Sequence, residues 1–307
     1  MDILFSINNV LILLLLVIVG YVVRKINVIP AAGMPILSKF LLYFAVPSSI
    51  IMSMQIPFTA DLLGNIGLIF LVSAIFYAIA IAVGWFLPNI LHAKKEHYGI
   101  MRYSVIFAST LFMGVPVISM TFGEMGVFYA SIFNVLFVIL AYTLGVWILL
   151  RKSGNDVKIS LKDMITPPVI GIVIGLIFFF TSITIPEPFA GALTFLGGIT
   201  VPLSFFVIGG FLANVRIKNI FNNYRLYIIS LVSLLLIPFL YKIIAGCIIT
   251  DPTIMSTTLI LAAMPAAVNV VLLSQEFKMD SEFASQCVFI MTVISLITLP
   301  IIIALNT

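Results

Sequence analysis

Residues 253–274 read TIMSTTLILAAMPAAVNVVLLS, a stretch apolar enough to enter a bilayer yet interrupted near its middle by Pro265. Proline removes a backbone donor and clashes with the preceding turn, so carbonyls near Leu261 and Ala262 lose intrahelical partners. In hydrocarbon such groups are tolerated only where protein covers them or a watery cavity takes them in. Asn269 follows one helical turn later with an amide that both donates and accepts. The stretch therefore reads either as a packing kink or as a binding site built on a broken span. The rest of the chain decides between them.

Of the 307 residues 63% are hydrophobic and only 8% charged, against roughly 25% charged residues in soluble domains. This is the composition of a polytopic, all-α membrane protein. Ten segments reach the roughly 20 residues needed to cross ~30 Å of hydrocarbon as helix. They lie near 3–23, 34–54, 62–88, 104–122, 126–150, 164–183, 190–213, 226–249, 253–274 and 283–305. The first follows Met1-Asp2 without a basic leader or a small-residue cleavage site and reads as a retained helix. Cys247 and Cys287 fall toward opposite faces, so both are expected as buried free thiols.

On this map 14 of the 15 Lys and Arg residues fall on one side, with Lys242 alone toward the other. The positive-inside rule makes that side cytoplasmic, which puts both termini outside a cell membrane. The net charge of +4 is thus a record of topology, and nucleic acid is not an expected partner. The runs KKEH and RKSGNDVK read as solvated cytoplasmic loops. His92 and His97 are too few for a metal site.

Val-Pro-x-Ser occurs at 46–49 and again at 201–204, an offset of 155. That shift lays spans 1–5 over spans 6–10 and carries Phe122 onto Phe277. Five spans per half is odd, so the second half, 164–307, runs inverted relative to the first, 1–150, with 151–163 as a cytoplasmic connector. Span 4, YSVIFASTLFMGVPVISMTFG, carries Gly114-Val115-Pro116 at a depth comparable to Pro265. Paired interruptions in corresponding spans are the best sequence pointer to a transporter's site. Half-helix N-termini meeting there carry about +0.5 charge and favour anions.

No acidic residue lies mid-span, so a buried carboxylate relay is not expected, and the coupling ion, H+ or Na+, stays open. No nucleotide loop or cluster of catalytic spacing points to an enzyme, and no cofactor is implied. Asn134 and Tyr142 in span 5 are candidates either for helix–helix packing or for the site.

The motifs AAMPAAVN at 262–269 followed by QEFKMD, MGVP at 113–116 followed by MTFG, and VPLSFFVIGGFL at 201–212 resemble the auxin efflux carrier family, which includes plant PIN-type carriers and bacterial malate or malonate permeases. The resemblance covers essentially the whole chain. It implies a ten-span inverted-repeat fold similar to bile-acid symporters and sodium/proton antiporters. It also implies a scaffold of spans 1, 2, 6 and 7, and a transport domain whose crossing spans 4 and 9 hold a carboxylate. By position Asn269 is the span 9 contact, and Pro116 and Pro265 mark the crossover. The family's usual span 4 asparagine is absent. Ala108-Ser109-Thr110-Leu111 stands there instead, with Ser109 or Thr110 as the shorter donor.

The expected function is secondary transport of an organic anion by an elevator-type movement, with Ser109, Thr110, Gly114, Pro116, Pro265 and Asn269 at the site. Ser49 approaches from the scaffold, with Ser204 as its repeat mate. A homodimer through the scaffold helices is an allowed assembly. The competing readings are a carboxylate-sensing membrane receptor and a sodium-coupled carrier of a neutral or sterol-like solute.

Overall fold

A computed structural model describes residues 3–150, 166–213 and 223–304, and the 151–163 connector lies outside the described residues. Helices account for nearly all regular structure in it. They are α1 (Ile3–Lys25), α2 (Gly33–Ser53), α3 (Ala60–Ile90), α4 (Tyr98–Ile106), α5 (Thr110–Leu150), α6 (Pro167–Thr181), α7 (Phe189–Leu212), α8 (Tyr224–Gly246), α9 (Pro252–Ala262), α10 (Asn269–Glu276) and α11 (Ser281–Ala304). Among the described residues α2, α3, α5, α7, α8 and α11 are long and apolar enough to cross a membrane, and α6 and α9 are shorter apolar helices. Large apolar side chains such as Leu15, Phe70, Phe239 and Ile297 are exposed along their outer faces, as expected of a surface solvated by lipid. The protein is a multi-pass, all-helical membrane protein.

Proline shapes these helices in a regular way. Pro47, Pro116 and Pro238 each follow, by two residues, a wide π-turn: Leu41–Ala45, Thr110–Gly114 and Val232–Leu236. A proline ring collides with the carbonyl four residues back, and loosening that turn to the π pitch makes room for it. Pro47, Pro116 and Pro238 therefore widen their helices without ending them. In α5 the end of the first arm is set by Gly123, whose φ of 61° and ψ of −149° turn the chain sharply between residues 110–122 and 124–150.

The helices pack in two groups. In one, α1 lies along α7 and α6 lies along α2, with glycines at the closest approaches. A Cβ at Gly209 would come 2.8 Å from the Val17 carbonyl carbon, and one at Gly171 would come 3.0 Å from the Pro47 Cα. Only hydrogen fits at such contacts. In the other group α3, α4, α5, α8, α9 and α11 surround a core that includes Tyr77, Tyr103, Phe107, Phe133 and Tyr241. Trp85 and Trp147 stack at 6.0 Å with the Arg102 guanidinium 4.0 Å over Trp85, which places an aromatic and basic belt at one membrane boundary.

Three expectations need correction. Cys287 is buried, but Cys247, at the end of α8, is exposed. His97 is not a solvated loop residue: its ring stacks on Phe283 at 3.9 Å and its Nε2 lies 3.0 Å from Asp280, tying the start of α4 to the start of α11. The fourth span starts at Tyr98, with its break earlier than expected.

Candidate functional site: a backbone crossover beside a cavity

α4 ends at Ile106 and α5 begins at Thr110; α9 ends at Ala262 and α10 begins at Asn269. The two gaps cross each other. Ala108 and Ala266 form an isolated antiparallel bridge, in which the Ser109 N–H donates to the Pro265 carbonyl at 2.7 Å and the Ala267 N–H donates to the Phe107 carbonyl at 2.9 Å. Each break thus supplies the partners that the other lacks, which is how irregular backbone survives in a hydrophobic interior. Further carbonyls are caught locally. Leu261 accepts from Met264 at 3.3 Å, and Ser109 accepts from both Met113 and Gly114 at 3.1 and 2.9 Å. Gly114 itself lies against Leu261, where an added Cβ would sit 2.7 Å from the leucine Cδ2.

The sequence placed the α4 interruption at Gly114-Val115-Pro116. It lies instead at 107–109, and Pro116 sits inside α5, where the preceding π-turn Thr110–Gly114 accommodates its ring. Pro265 does fall inside its gap, and its carbonyl, rather than its ring, is the group that holds the crossover together.

On one side of the crossover is a cavity of about 300 Å³. Ser109, Asn269 and Tyr142 line it, together with Leu111, Phe112, Phe137, Val138 and Leu272 from the same helix group. Ser38, Leu42 and Tyr43 of α2 and Thr166-Pro167-Pro168 at the start of α6 form the facing wall. The Asn269 amide donates to the Tyr142 hydroxyl at 3.4 Å, a long bond that leaves most of the amide's capacity for another partner. No Lys, Arg, Asp or Glu is among the described residues that line it. Those residues offer neutral donors, and the start of α10 adds the positive end of a helix.

The sequence candidates therefore separate. Ser109, Asn269 and Tyr142 meet at the cavity. Thr110 is fully buried behind it and donates to Asn134 Oδ1 at 2.6 Å, while the Asn134 amide donates to the Ala130 carbonyl at 2.8 Å. Those two residues brace α5 from within. Gly114, Pro116 and Pro265 are buried in the crossover frame. Ser49 lies against Gly197 in the α2–α7 contact, and Ser204 is buried in α7; neither lines the cavity. Sequence reasoning missed Ser38, Tyr43 and Thr166. The signal available was the π-turn implied by Pro47, which turns the consecutive residues Leu42 and Tyr43 onto the cavity wall.

The membrane transport protein family model matches residues 5–303. The chain belongs to that family. It is the auxin efflux carrier family whose motifs the crossover carries. Two archaeal relatives named as uncharacterized transporters align along nearly their whole length. One, from Methanothermobacter thermautotrophicus, is 28% identical over 307 residues, covering 96% of this chain and 97% of the relative. The other, from Methanocaldococcus jannaschii, is 26% identical over 298 residues, covering 94% and 95%. Membership makes the protein a membrane transport protein.

The cavity is lined from the first half of α2, the start of α6, the last third of α5, the crossover and the first turn of α10. Lys39 directly follows the lining residue Ser38, so that part of α2 marks the basic side of the crossover. On the opposite side the two helix groups meet in aromatic contacts. The Phe128 ring of α5 lies 5.2 Å from that of Phe179 in α6, and Phe58 is 5.4 Å from Phe179.

Proposed function

We propose that the protein is a secondary carrier of an organic anion that works by elevator-type alternating access. The observation that carries this reading is the backbone-bonded crossover of two interrupted helices with a cavity beside it. Its helices make ten crossings: α1, α2, α3, α4 with 110–122, 124–150, α6, α7, α8, α9 with α10, and α11. The two halves form inverted repeats. The 155 offset carries Gly20 onto Gly175, both at close helix contacts, and the π-turn of α2 onto residues 196–200, where α7 turns at Ile199. α1, α2, α6 and α7 form the scaffold, and the remaining helices move against it with the crossover. On this reading the basic side is cytoplasmic and the cavity is reached from it.

Asn269, Ser109 and the Tyr142 hydroxyl bind the carboxylate, and the apolar lining takes the body of the solute. Among the described residues the wall carries no cationic side chain, and a single carboxylate on an apolar frame fits that lining better than a dicarboxylate, since a second charge would have no donor cluster of its own. The same lining favours, as a second reading, a neutral or sterol-like solute. Uptake of labelled indole-3-acetate, malate and malonate into proteoliposomes, with imposed proton and sodium gradients, tests both readings. Saturable uptake of an acid that Asn269→Ala abolishes, with folding retained, supports the anion carrier. Uptake of the acids that is the same in the variant removes Asn269 from the site. Sodium-dependent uptake of uncharged solutes alone moves the assignment to the second reading.

A further inference from the structure

The wall of the cavity that belongs to α2 and α6 includes three hydroxyl-bearing residues, Ser38, Tyr43 and Thr166, of which Tyr43 is more than half exposed. The Thr166 hydroxyl is the informative one. Thr166 is the N-cap of α6, a position where a threonine normally accepts from a backbone N–H in the first helical turn. Here the next two residues are Pro167 and Pro168, which have no N–H, and the side chain makes no capping bond. Its Oγ1 is buried and without a hydrogen-bond partner among the described residues, at the edge of a cavity large enough for a small organic solute. A buried hydroxyl in that condition needs a partner, and the cavity is where one can come from.

The repeat-related positions carry no hydroxyl. The 155 offset carries Ser38, Tyr43 and Thr166 onto Leu193, Gly198 and Leu11. If the two halves exchange roles when the cavity changes sides, two leucines and a glycine take the places of the three hydroxyls. Gly198 has open space around it, with nothing within 4 Å of a built Cβ, so no side chain fills in for Tyr43.

We propose that Ser38, Tyr43 and Thr166 are positioning residues that hydrogen-bond the polar end of the solute only while the cavity lies on the basic side, and that the carrier therefore holds its solute more tightly from that face than from the other. This rests on the carrier reading above and adds a sided affinity to it. The transport domain presents Asn269 and Ser109 in both arrangements, whereas the scaffold adds donors in one.

The test uses the full-length protein in proteoliposomes of a single orientation, with indole-3-acetate, malate and malonate as probes and half-saturation of initial flux measured from each face. Wild type should saturate at lower concentration from the basic face. The double variant Ser38→Ala/Thr166→Ala should lose about tenfold or more there, the factor expected for lost hydrogen bonds to a charged group, with no change from the opposite face. Thr166→Ser in the presence of Ser38 keeps the hydroxyl and should behave as wild type. Melting temperature should not fall in the Thr166→Ala single variant, because that hydroxyl holds no protein partner. Loss of equal size from both faces, or no loss from either while Asn269→Ala abolishes binding, overturns the sided contact and leaves the carrier reading standing. No saturable uptake or binding of any probe by wild type overturns both.

Discussion

Phe128→Ala removes the ring that joins the two helix groups on the face opposite the cavity. Phe128 is wholly buried, as is Phe179, whose ring centre is 5.2 Å away at an interplanar angle of 51°. Truncating a buried phenylalanine costs about 3–5 kcal/mol in total. Contacts that Phe128 makes inside its own group, such as that with Tyr129 at 5.8 Å, persist whichever way the cavity faces and cancel from the balance. What remains is the aromatic pair, about 0.5–1.5 kcal/mol, and a share of the apolar burial across the groups. A differential of about 1.5–2 kcal/mol raises the ratio of the opposite-facing to the present arrangement about 10–30-fold. The assay places a thiol at Asn269→Cys in a Cys247→Ser background, since Cys247 is exposed and Cys287 is buried. A membrane-impermeant maleimide is then added from the side away from the basic loops. Labelling should accelerate about tenfold or more when Phe128→Ala is added. A lowered melting temperature with unchanged labelling would show that the ring only packs, and the argument for an outer seal would fail.

Three further substitutions probe the frame. Ala267→Pro removes the N–H that donates to the Phe107 carbonyl at 2.9 Å, and a buried orphan of that kind costs about 1–3 kcal/mol. Solute binding should be lost and melting temperature lowered, whereas Ala267→Gly keeps both. Thr110→Val takes the 2.6 Å donor from Asn134 Oδ1, so thermal stability should fall by about 1–3 kcal/mol and return with Thr110→Ser. Gly209→Ala puts a Cβ 2.8 Å from the Val17 carbonyl carbon, where about 3.5–4.0 Å is comfortable. The neighbour is backbone and cannot turn aside, so about 1–3 kcal/mol should be lost by thermal unfolding, against no change in Gly198→Ala, which meets open space.

The membrane class and the existence of two interrupted spans were legible because composition and proline act locally. Pro265 stands where the α9–α10 gap is found. The α4–α5 gap was misplaced by several residues for a physical reason: Pro116 is absorbed by a π-turn, and the gap at 107–109 contains neither Pro nor Gly. That gap is stabilised by a bond from a segment more than 150 residues away, and no local signal reports it. The pairing of Thr110 with Asn134, and the loss of Ser49 to a helix contact, follow from which face of a helix turns inward. In spans that are apolar all round, periodicity does not specify that face.

The crossover bridge is made of main-chain atoms alone. Ala108 and Ala266, its central residues, are 3% and 1% exposed, and only small side chains fit there. Ser109, Ala267 and Asn269, which flank the bridge, border the cavity. Frame and chemistry are thus written on neighbouring but separate letters of the chain. If Ser109 and Asn269 bind the solute as proposed, either can be exchanged without redesigning the joint beside it, provided that no proline enters at 109 or 267. A library confined to Ser109, Tyr142 and Asn269 would explore solute preference with little loss of folded protein, and is the economical place to begin retargeting this carrier.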